Sequence, residues 1–326
     1  MRAVLCKEHG PPESLVVEDV ESPKPGARQV LIGVHACGVN FPDTLIIEGK
    51  YQFQPDMPFS PGGEVAGEVI AVGDEVTEYQ SGDRVIAMTG WGGFAEEVLC
   101  DVGQVMPLPE SMDYITGSAF SMTYGTSYHA LVQRAELQPG ETLLVLGASG
   151  GVGLAAVELG KVLGARVIAA AGSDEKLEVA REHGADELIN YNNEKLKERV
   201  KELTGGQGAD VIYDPVGGDA FDQAIRCINW NGRLLVVGFA SGRIPELRVN
   251  LALLKGCQVV GVFWGAFAGR EPQTNARNFK ELFTLHAEGK IKPHVSATYP
   301  MEKVADALNA LLQRKVTGKV VLTTGR

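Results

Sequence analysis

Long apolar runs are missing from this sequence: no segment among its 326 residues approaches the roughly 18 to 20 that a bilayer span requires. The N-terminus also lacks the basic-then-apolar form of a secretory signal, so a cytoplasmic protein with no membrane partner is expected. Basic runs are absent as well. Against 41 Asp and Glu there are only 30 Lys and Arg, and the formal net charge of −11 argues against nucleic acid or an anionic membrane surface as a main partner. Cysteine is sparse: the 5 residues Cys6, Cys37, Cys100, Cys227 and Cys257 are scattered without a C-x-x-C pair, so neither a disulfide framework nor a zinc ribbon is indicated. The 6 histidines form no acid–base or metal-ligating group, and His129 reads as helix packing. Internal repeats and low-complexity segments are lacking too.

What is present suits a soluble enzyme of about two domains, with 44% hydrophobic residues for core and 40 glycines for tight turns. The pattern changes near residue 120. Before it, valine-rich runs at 2–6, 29–36, 64–72, 83–88 and 95–100 alternate with Gly, Pro and Asp turns, which predicts an antiparallel β domain. After it, strand-like runs at 142–146, 167–170, 187–190, 211–214, 234–238 and 258–263 alternate with helical stretches at 175–183, 194–203 and 220–228. Six strands in βαβ order predict a doubly wound parallel sheet. The division expected is 1–120 for the first domain and 121–265 for the second. Helical stretches at 279–286 and 302–313 and a strand at 319–322 would then return from about 266 to complete the first.

The most informative stretch is Leu143-Leu144-Val145-Leu146-Gly147-Ala148-Ser149-Gly150-Gly151-Val152-Gly153, an apolar strand emptying into a glycine-rich turn. Residues 154–163 follow at helical spacing. Small residues let the backbone approach a pyrophosphate, and the unpaired N–H groups of the next helix bind its charge. Ala148, Ser149, Gly150, Gly151, Val152 and Gly153 are therefore predicted to hold a dinucleotide. Ala148 replaces the first glycine of G-x-G-x-x-G, while Gly150 and Gly153 are kept.

The second strand narrows the choice of cofactor. NAD sites carry an acid about 20 residues past the glycine loop to accept from the ribose hydroxyls, and Ala171 holds that place here. A 2′-phosphate is then not repelled, and Ser173 and Lys176 are positioned in sequence to donate to it. Asp174 and Glu175 leave open a contact with the ribose that would permit NADH. The segments 214–218 and 238–241 end the fourth and fifth strands, at the carboxyl edge where an open α/β sheet binds its ligand.

Taken together, Cys37 to Asp43, Pro61 to Gly67, Gly73, Gly82 to Val85, the glycine loop and Gly232 to Gly238 resemble the medium-chain dehydrogenase/reductase superfamily, within it the zinc-independent quinone oxidoreductases. The resemblance is collinear over essentially the whole chain. It implies a GroES-like antiparallel β domain followed by a Rossmann domain, NADP(H) as cofactor, and a homodimer paired through residues 258–263. It also implies the loss of zinc. Zinc alcohol dehydrogenases of the superfamily place a cysteine and a histidine where this chain has Asn40 and Phe41, a histidine at Gly63, and a four-cysteine loop after the G-D-R-V segment that is missing here. None of those side chains ligates a metal, and a catalytic zinc needs about three protein ligands.

The same resemblance assigns further residues. Gly172, Lys176 and Tyr191 match positions that hold the 2′-phosphate; Val216, Gly238 and Phe239 match contacts to ribose and nicotinamide; Phe263 and Trp264 match the carboxamide region; Thr123 matches a nicotinamide contact; Arg314 matches a position near the adenosine phosphate. On the reacting side, Asn40 is a candidate to orient the carboxamide or an acceptor carbonyl. Tyr51 is a candidate donor, since a phenol with a pKa near 10 stays protonated at neutral pH, and Asp43 is expected to fix the loop. The leading expectation is hydride transfer from NADPH to an electrophilic small molecule, a quinone. Rival readings are a 2-alkenal, enone or enoyl thioester reductase using the same site, and a non-catalytic NADPH-binding protein.

Overall fold

The chain opens with β1 (Arg2–Leu5) and β2 (Val16–Asp19), an antiparallel pair, in a computed structural model that describes residues 1–326. There follow β3 (Gln29–Val39), α1 (Phe41–Ile47), β4 (Glu64–Val72), β5 (Arg84–Met88), β6 (Glu97–Asp101), β7 (Val105–Pro107) and α2 (Tyr114–Ser118). Next, α3 (Ser121–Tyr128) runs on in π-helical turns to Arg134. Strands and helices then alternate as β8 (Thr142–Leu146), α4 (Gly151–Val162), β9 (Arg166–Ala171), α5 (Asp174–Glu182), β10 (Glu187–Asn190), α6 (Leu196–Leu203), β11 (Ala209–Asp214), α7 (Gly218–Ala224) and β12 (Ile228–Val236). After α8 (Val249–Lys255), β13 (Gln258–Gly261), α9 (Trp264–Arg270) and α10 (Pro272–Ala287) come β14 (Val295–Pro300), α11 (Val304–Leu312) and β15 (Lys319–Thr323). No helix is long and apolar enough to cross a membrane.

The elements form two units, one of Met1–Met122 with Val295–Arg326 and the other of Thr123–His294. In the first, a 7-stranded sheet runs β14-β15-β3-β4-β5-β7, with β6 also paired to β3. All its pairings are antiparallel except β14 with β15. Strands meet closely where side chains are absent: a Cβ on Gly67 would sit 2.0 Å from the Gly33 carbonyl oxygen. Val4, Ile32, Val34, Ile47, Val65 and Phe94 fill the core behind it.

The second unit carries six parallel strands in the order β10-β9-β8-β11-β12-β13. Leu143 to Leu146 in β8 and Val211 to Tyr213 in β11 are fully buried, as a parallel sheet covered by helices on both faces requires. Strand order reverses between β8 and β11, and the loops leaving that point open the crevice in which such sheets bind ligands.

Three strands were not expected from sequence. β2 reads Val-Val-Glu-Asp and is mostly exposed, β7 is stopped after 3 residues by Pro107, and β14 alternates half-buried with exposed positions. The chain also returns later than expected, at Val295 rather than about 266. The sixth strand ends at Gly261, and the residues after it form α9 and α10, which bury Trp264, Phe267, Phe279 and Leu282 within the second unit. Phe267 stacks on His129 at 3.9 Å between ring centroids, which fills the packing role expected for that histidine. Burial lowers the His129 pKa accordingly.

Candidate functional site

The glycine loop turns sharply out of β8. Gly147 has φ +58°, and a Cβ on Gly153 would lie 2.3 Å from the Gly147 carbonyl oxygen, so helix and strand touch through backbone alone. Gly150 caps α4, a helix of 12 residues whose first-turn N–H groups have no acceptor inside the helix. Ala148 and Ser149 are buried beneath, with the Ala148 N–H donating to the Ala170 carbonyl at 3.1 Å. The Val152 carbonyl accepts from Ser127 Oγ at 2.9 Å, and that hydroxyl also meets the Tyr213 hydroxyl at 2.8 Å. The turn is thereby tied to α3 and β11.

Across the switch point, Asp214 Oδ1 accepts from the N–H groups of Val216 and Gly217, both at 2.8 Å. Gly217 and Gly218 take φ +66° and +56°, conformations that suit glycine, and so start α7. Val216 packs on Gly147, where an added Cβ would meet Val216 Cγ2 at 2.9 Å; Phe239 packs on Gly217 in the same way at 3.0 Å. The Gly238 N–H donates to the Asp214 carbonyl. The predicted residues Val216, Gly238 and Phe239 are thus gathered beside the glycine loop, at the carboxyl edge of the sheet.

At the end of β9 a second group forms. A Cβ on Gly172 would touch Tyr191 Cε2 at 3.4 Å, and Asn192 Nδ2 donates to the Gly172 carbonyl at 2.6 Å. Ser173 caps α5, its Oγ accepting from the Lys176 N–H at 3.4 Å. Ala171 is buried, whereas Asp174 Oδ1 accepts from Asn190 Nδ2 at 2.7 Å and is thereby engaged in linking α5 to β10. Glu175 is exposed in the first turn of α5. Gly172, Ser173, Lys176 and Tyr191 therefore share one end of the sheet, and Asn190 and Asn192, which sequence reasoning did not single out, brace it. The narrow glycine cradle, and a β9 that ends in Ala171 and not in an acid, fit a phosphorylated dinucleotide.

Thr123 is buried at the start of α3. Phe263 and Trp264 diverge: Phe263 is half exposed before α9, while Trp264 is buried, donates its indole N–H to Asn275 Oδ1 at 3.0 Å and packs on Gly125. Arg314 lies in the first unit, just past the end of α11, with φ +55°.

In the first unit the reacting candidates surround the start of α1. The backbone N–H of Asn40 donates to Asp43 Oδ2 at 2.7 Å, and the Gly62 N–H donates to Asp43 Oδ1 at 3.2 Å. Asp43 is buried, and burial pushes its carboxyl up to about 7 against those two donors and Lys319. Burial, and then the Asp43 charge, raise the Tyr51 phenol, which stays protonated at neutral pH. Its ring meets Phe53 edge-on at 6.2 Å.

The Asn40 side chain is fully engaged. Its Nδ2 donates to Gly38 O at 3.2 Å and Glu64 Oε2 at 3.0 Å, while its Oδ1 accepts from Lys319 Nζ at 2.5 Å. Lys319 Nζ also reaches Glu64 Oε2 and Val39 O, both at 3.1 Å, and Glu64 Oε1 accepts from the Met122 N–H at 2.8 Å. Sequence reasoning missed Lys319 and Glu64. The signal was a charge opening each of two strands, Lys319 before Val-Val-Leu and Glu64 before Val-Ala-Gly.

Residues 26–110 match the family described as Alcohol dehydrogenase GroES-like domain, and residues 151–282 match Zinc-binding dehydrogenase. The chain is 46% identical to the Quinone oxidoreductase-like protein 2 homolog of Nematostella vectensis, over 99% of this chain and 89% of that protein. It is 36% identical to the Quinone oxidoreductase of Homo sapiens, over 99% and 97%. The crystal structure of Escherichia coli quinone oxidoreductase complexed with NADPH superposes with a TM-score of 0.93 at 30% identity, covering 99% of this chain and all of that one (100%). Fold, glycine loop and relatives agree: the chain belongs to the medium-chain dehydrogenase/reductase superfamily, among its zinc-independent quinone oxidoreductase-like members. The zinc of the family description does not fit this donor set. No three His, Cys, Asp or Glu side chains gather as ligands, and the ligand positions of the zinc enzymes hold Asn40, Phe41 and Gly63.

Proposed function

We propose that the protein is an NADPH-dependent quinone reductase that works without a metal. The observation that carries this reading is the end of β9 in the second unit, where Ala171 stands in place of a ribose acid, Asp174 is bonded by Asn190, Tyr191 packs on Gly172, and Ser173 caps the helix that carries Lys176. Lys176 and Ser173 would hold the 2′-phosphate, the first turn of α4 the pyrophosphate, and Val216, Gly238 and Phe239 the ribose and nicotinamide. When bound, NADPH supplies the hydride. A quinone takes a hydride without a strong Lewis acid, and one added proton then yields the hydroquinone. The Tyr51 phenol is the donor to the oxygen that gains charge, Phe53 offers a face for a flat ring, and Asp43 keeps the loop carrying Gly62 on the start of α1. The names of the relatives support the quinone over an enone or enoyl thioester.

Lys176→Ala tests the cofactor assignment. Losing one charge-assisted contact of about 1.5 to 3 kcal/mol should weaken NADPH binding roughly ten- to a hundredfold while NADH affinity changes by less than about twofold. An unchanged NADPH:NADH ratio in fluorescence titrations would show that Lys176 does not read the phosphate.

The protein is further proposed to be a cytoplasmic homodimer. Its 5 cysteines are all free thiols, which suits a reducing compartment. β13 is an edge strand of the six-stranded sheet, and α8 before it exposes Val249 at 76%, Leu253 at 80% and Leu254 at 71%. Such an apolar patch beside an open strand edge suits a second copy of the chain. Leu253→Glu with Leu254→Glu should shift the protein to a monomer in sedimentation velocity, and a parent that is itself monomeric at micromolar concentration would contradict the dimer.

A further inference from the structure

Three polar side chains of the first unit, Asn40, Glu64 and Lys319, are buried together. Asn40 caps α1 and Glu64 opens β4. Lys319 of β15 reaches both. Its Nζ bonds Asn40 Oδ1 and Glu64 Oε2, and Asn40 Nδ2 closes the ring onto the same Glu64 oxygen. Each of the three side chains therefore contacts the other two, and all are buried, Glu64 at 1%, Lys319 at 5% and Asn40 at 7% exposure. There is no room to spare in this ring, since a Cβ on Gly38 would fall 2.9 Å from Glu64 Oε2 and 2.0 Å from the Ser118 carbonyl oxygen.

Burying an ion costs several kcal/mol unless it is paired and fully hydrogen-bonded, so an ammonium held this deep calls for a local reason. Its contacts supply one. Lys319 on Oδ1 admits only one orientation of the Asn40 amide, with both amide hydrogens turned inward to Gly38 and Glu64. Asn40 in turn begins α1, its backbone N–H bonded to Asp43, while the other Glu64 oxygen holds the Met122 backbone immediately before Thr123.

We infer that Lys319 is a positioning residue of the reduction site, a buried ammonium acting through Asn40 and Glu64 on the start of α1 and on Met122. This inference rests on reading the site as one of hydride transfer. It extends to Asp43, which is faced by Lys319 from β15, Glu64 from β4, Cys37 from β3 and Tyr51 beyond α1. The Lys319 charge favours the Asp43 carboxylate and the Glu64 charge opposes it.

The test compares Lys319→Met with Lys319→Met/Glu64→Gln, because the single change strands a buried carboxylate and the double change strands none. The double variant is expected to fold and to bind NADPH with an affinity within about threefold of the parent. With the quinone that the parent reduces best, its kcat should fall at least about tenfold, since a small misplacement of reacting groups costs up to about a hundredfold. Its KM values should stay within about threefold, as for an interaction needed in the transition state and not in binding. Independently of turnover, ¹⁵N spectra should show the Asn40 side-chain amide hydrogens exchanging slowly in the parent and much faster in the double variant. Glu64→Gln alone should lower the apparent pKa of Asp43, and Lys319→Met should raise it. Turnover of the folded double variant within twofold of the parent, or equally slow amide exchange in both, would overturn the inference. A parent that fails to oxidise NADPH with every acceptor tried contradicts the hydride-transfer reading instead, and amide exchange then decides the role of Lys319.

Discussion

Gly153→Ala is expected to weaken NADPH binding at least about tenfold and to lower the melting temperature, because its new Cβ would sit 2.3 Å from the Gly147 carbonyl oxygen. A Cβ has no rotamer and the atom that it meets is backbone, so neither can rotate away. Either the start of α4 lifts off β8 or the turn opens, and overpacking of this kind costs roughly 1 to 3 kcal/mol. Gly150→Ala is the informative companion. Gly150 has an ordinary extended conformation with φ −79°, and its added Cβ would meet only the Gly147 oxygen at 3.4 Å, normal van der Waals contact. Its melting temperature should match the parent's, while NADPH binding weakens because the methyl group occupies the approach of the pyrophosphate. Fluorescence titration and thermal melts on the two variants thus separate the glycine that lets the fold close from the glycine that lets the phosphate in. Equal melting temperatures for all three proteins would refute the steric argument.

Asp43 carries the second large effect. Burial pushes its carboxyl up to about 7, whereas an unfolded aspartate titrates near 3.9. The folded protein therefore binds this proton more tightly than the unfolded chain does. Stability from this group is greatest below about pH 4, declines as pH rises toward 7 and is flat above that. The difference amounts to roughly 2 to 4 kcal/mol. Carboxylates such as Glu96, held below their usual range by the Arg2 backbone N–H, act with the opposite sign at lower pH. The clean measurement is thus the urea unfolding free energy of the parent minus that of Asp43→Asn. Between pH 4 and 7 this difference should fall, and a difference independent of pH would show that the carboxylate is already ionised at pH 4.

Much of this molecule can be read from its residues in order. The glycine loop is legible because strand, turn and helix N-terminus are contiguous, and β8, β9 and β11 are legible because buried parallel strands are apolar runs of the right length. Ala171 speaks for itself as a missing acid. What sequence order hides is pairing at a distance. Lys319 and Glu64 lie 255 residues apart, and only the adjacency of β15, β3 and β4 brings them together around Asn40. For the same reason the order of residues does not reveal that Gly38, Glu64 and Lys319 engage the Asn40 amide. The bond from Asn190 to Asp174 likewise joins residues 16 positions apart, from β10 to α5. β14 escaped notice because a half-exposed strand such as Val-Ser-Ala-Thr-Tyr-Pro lacks an apolar run, and its partner β15 supplies the order that its own pattern does not.

The proposed reaction is metal-free hydride transfer from NADPH to a quinone. The most direct measurement follows NADPH oxidation and hydroquinone formation together, across ortho- and para-quinones, 2-alkenals and enoyl thioesters, with and without a strong zinc chelator. One hydroquinone per NADPH, a lower rate with NADH, no loss on chelation and the highest kcat/KM among the quinones is the predicted result. Loss of turnover on chelation, or NADPH binding without oxidation by any quinone, would contradict it.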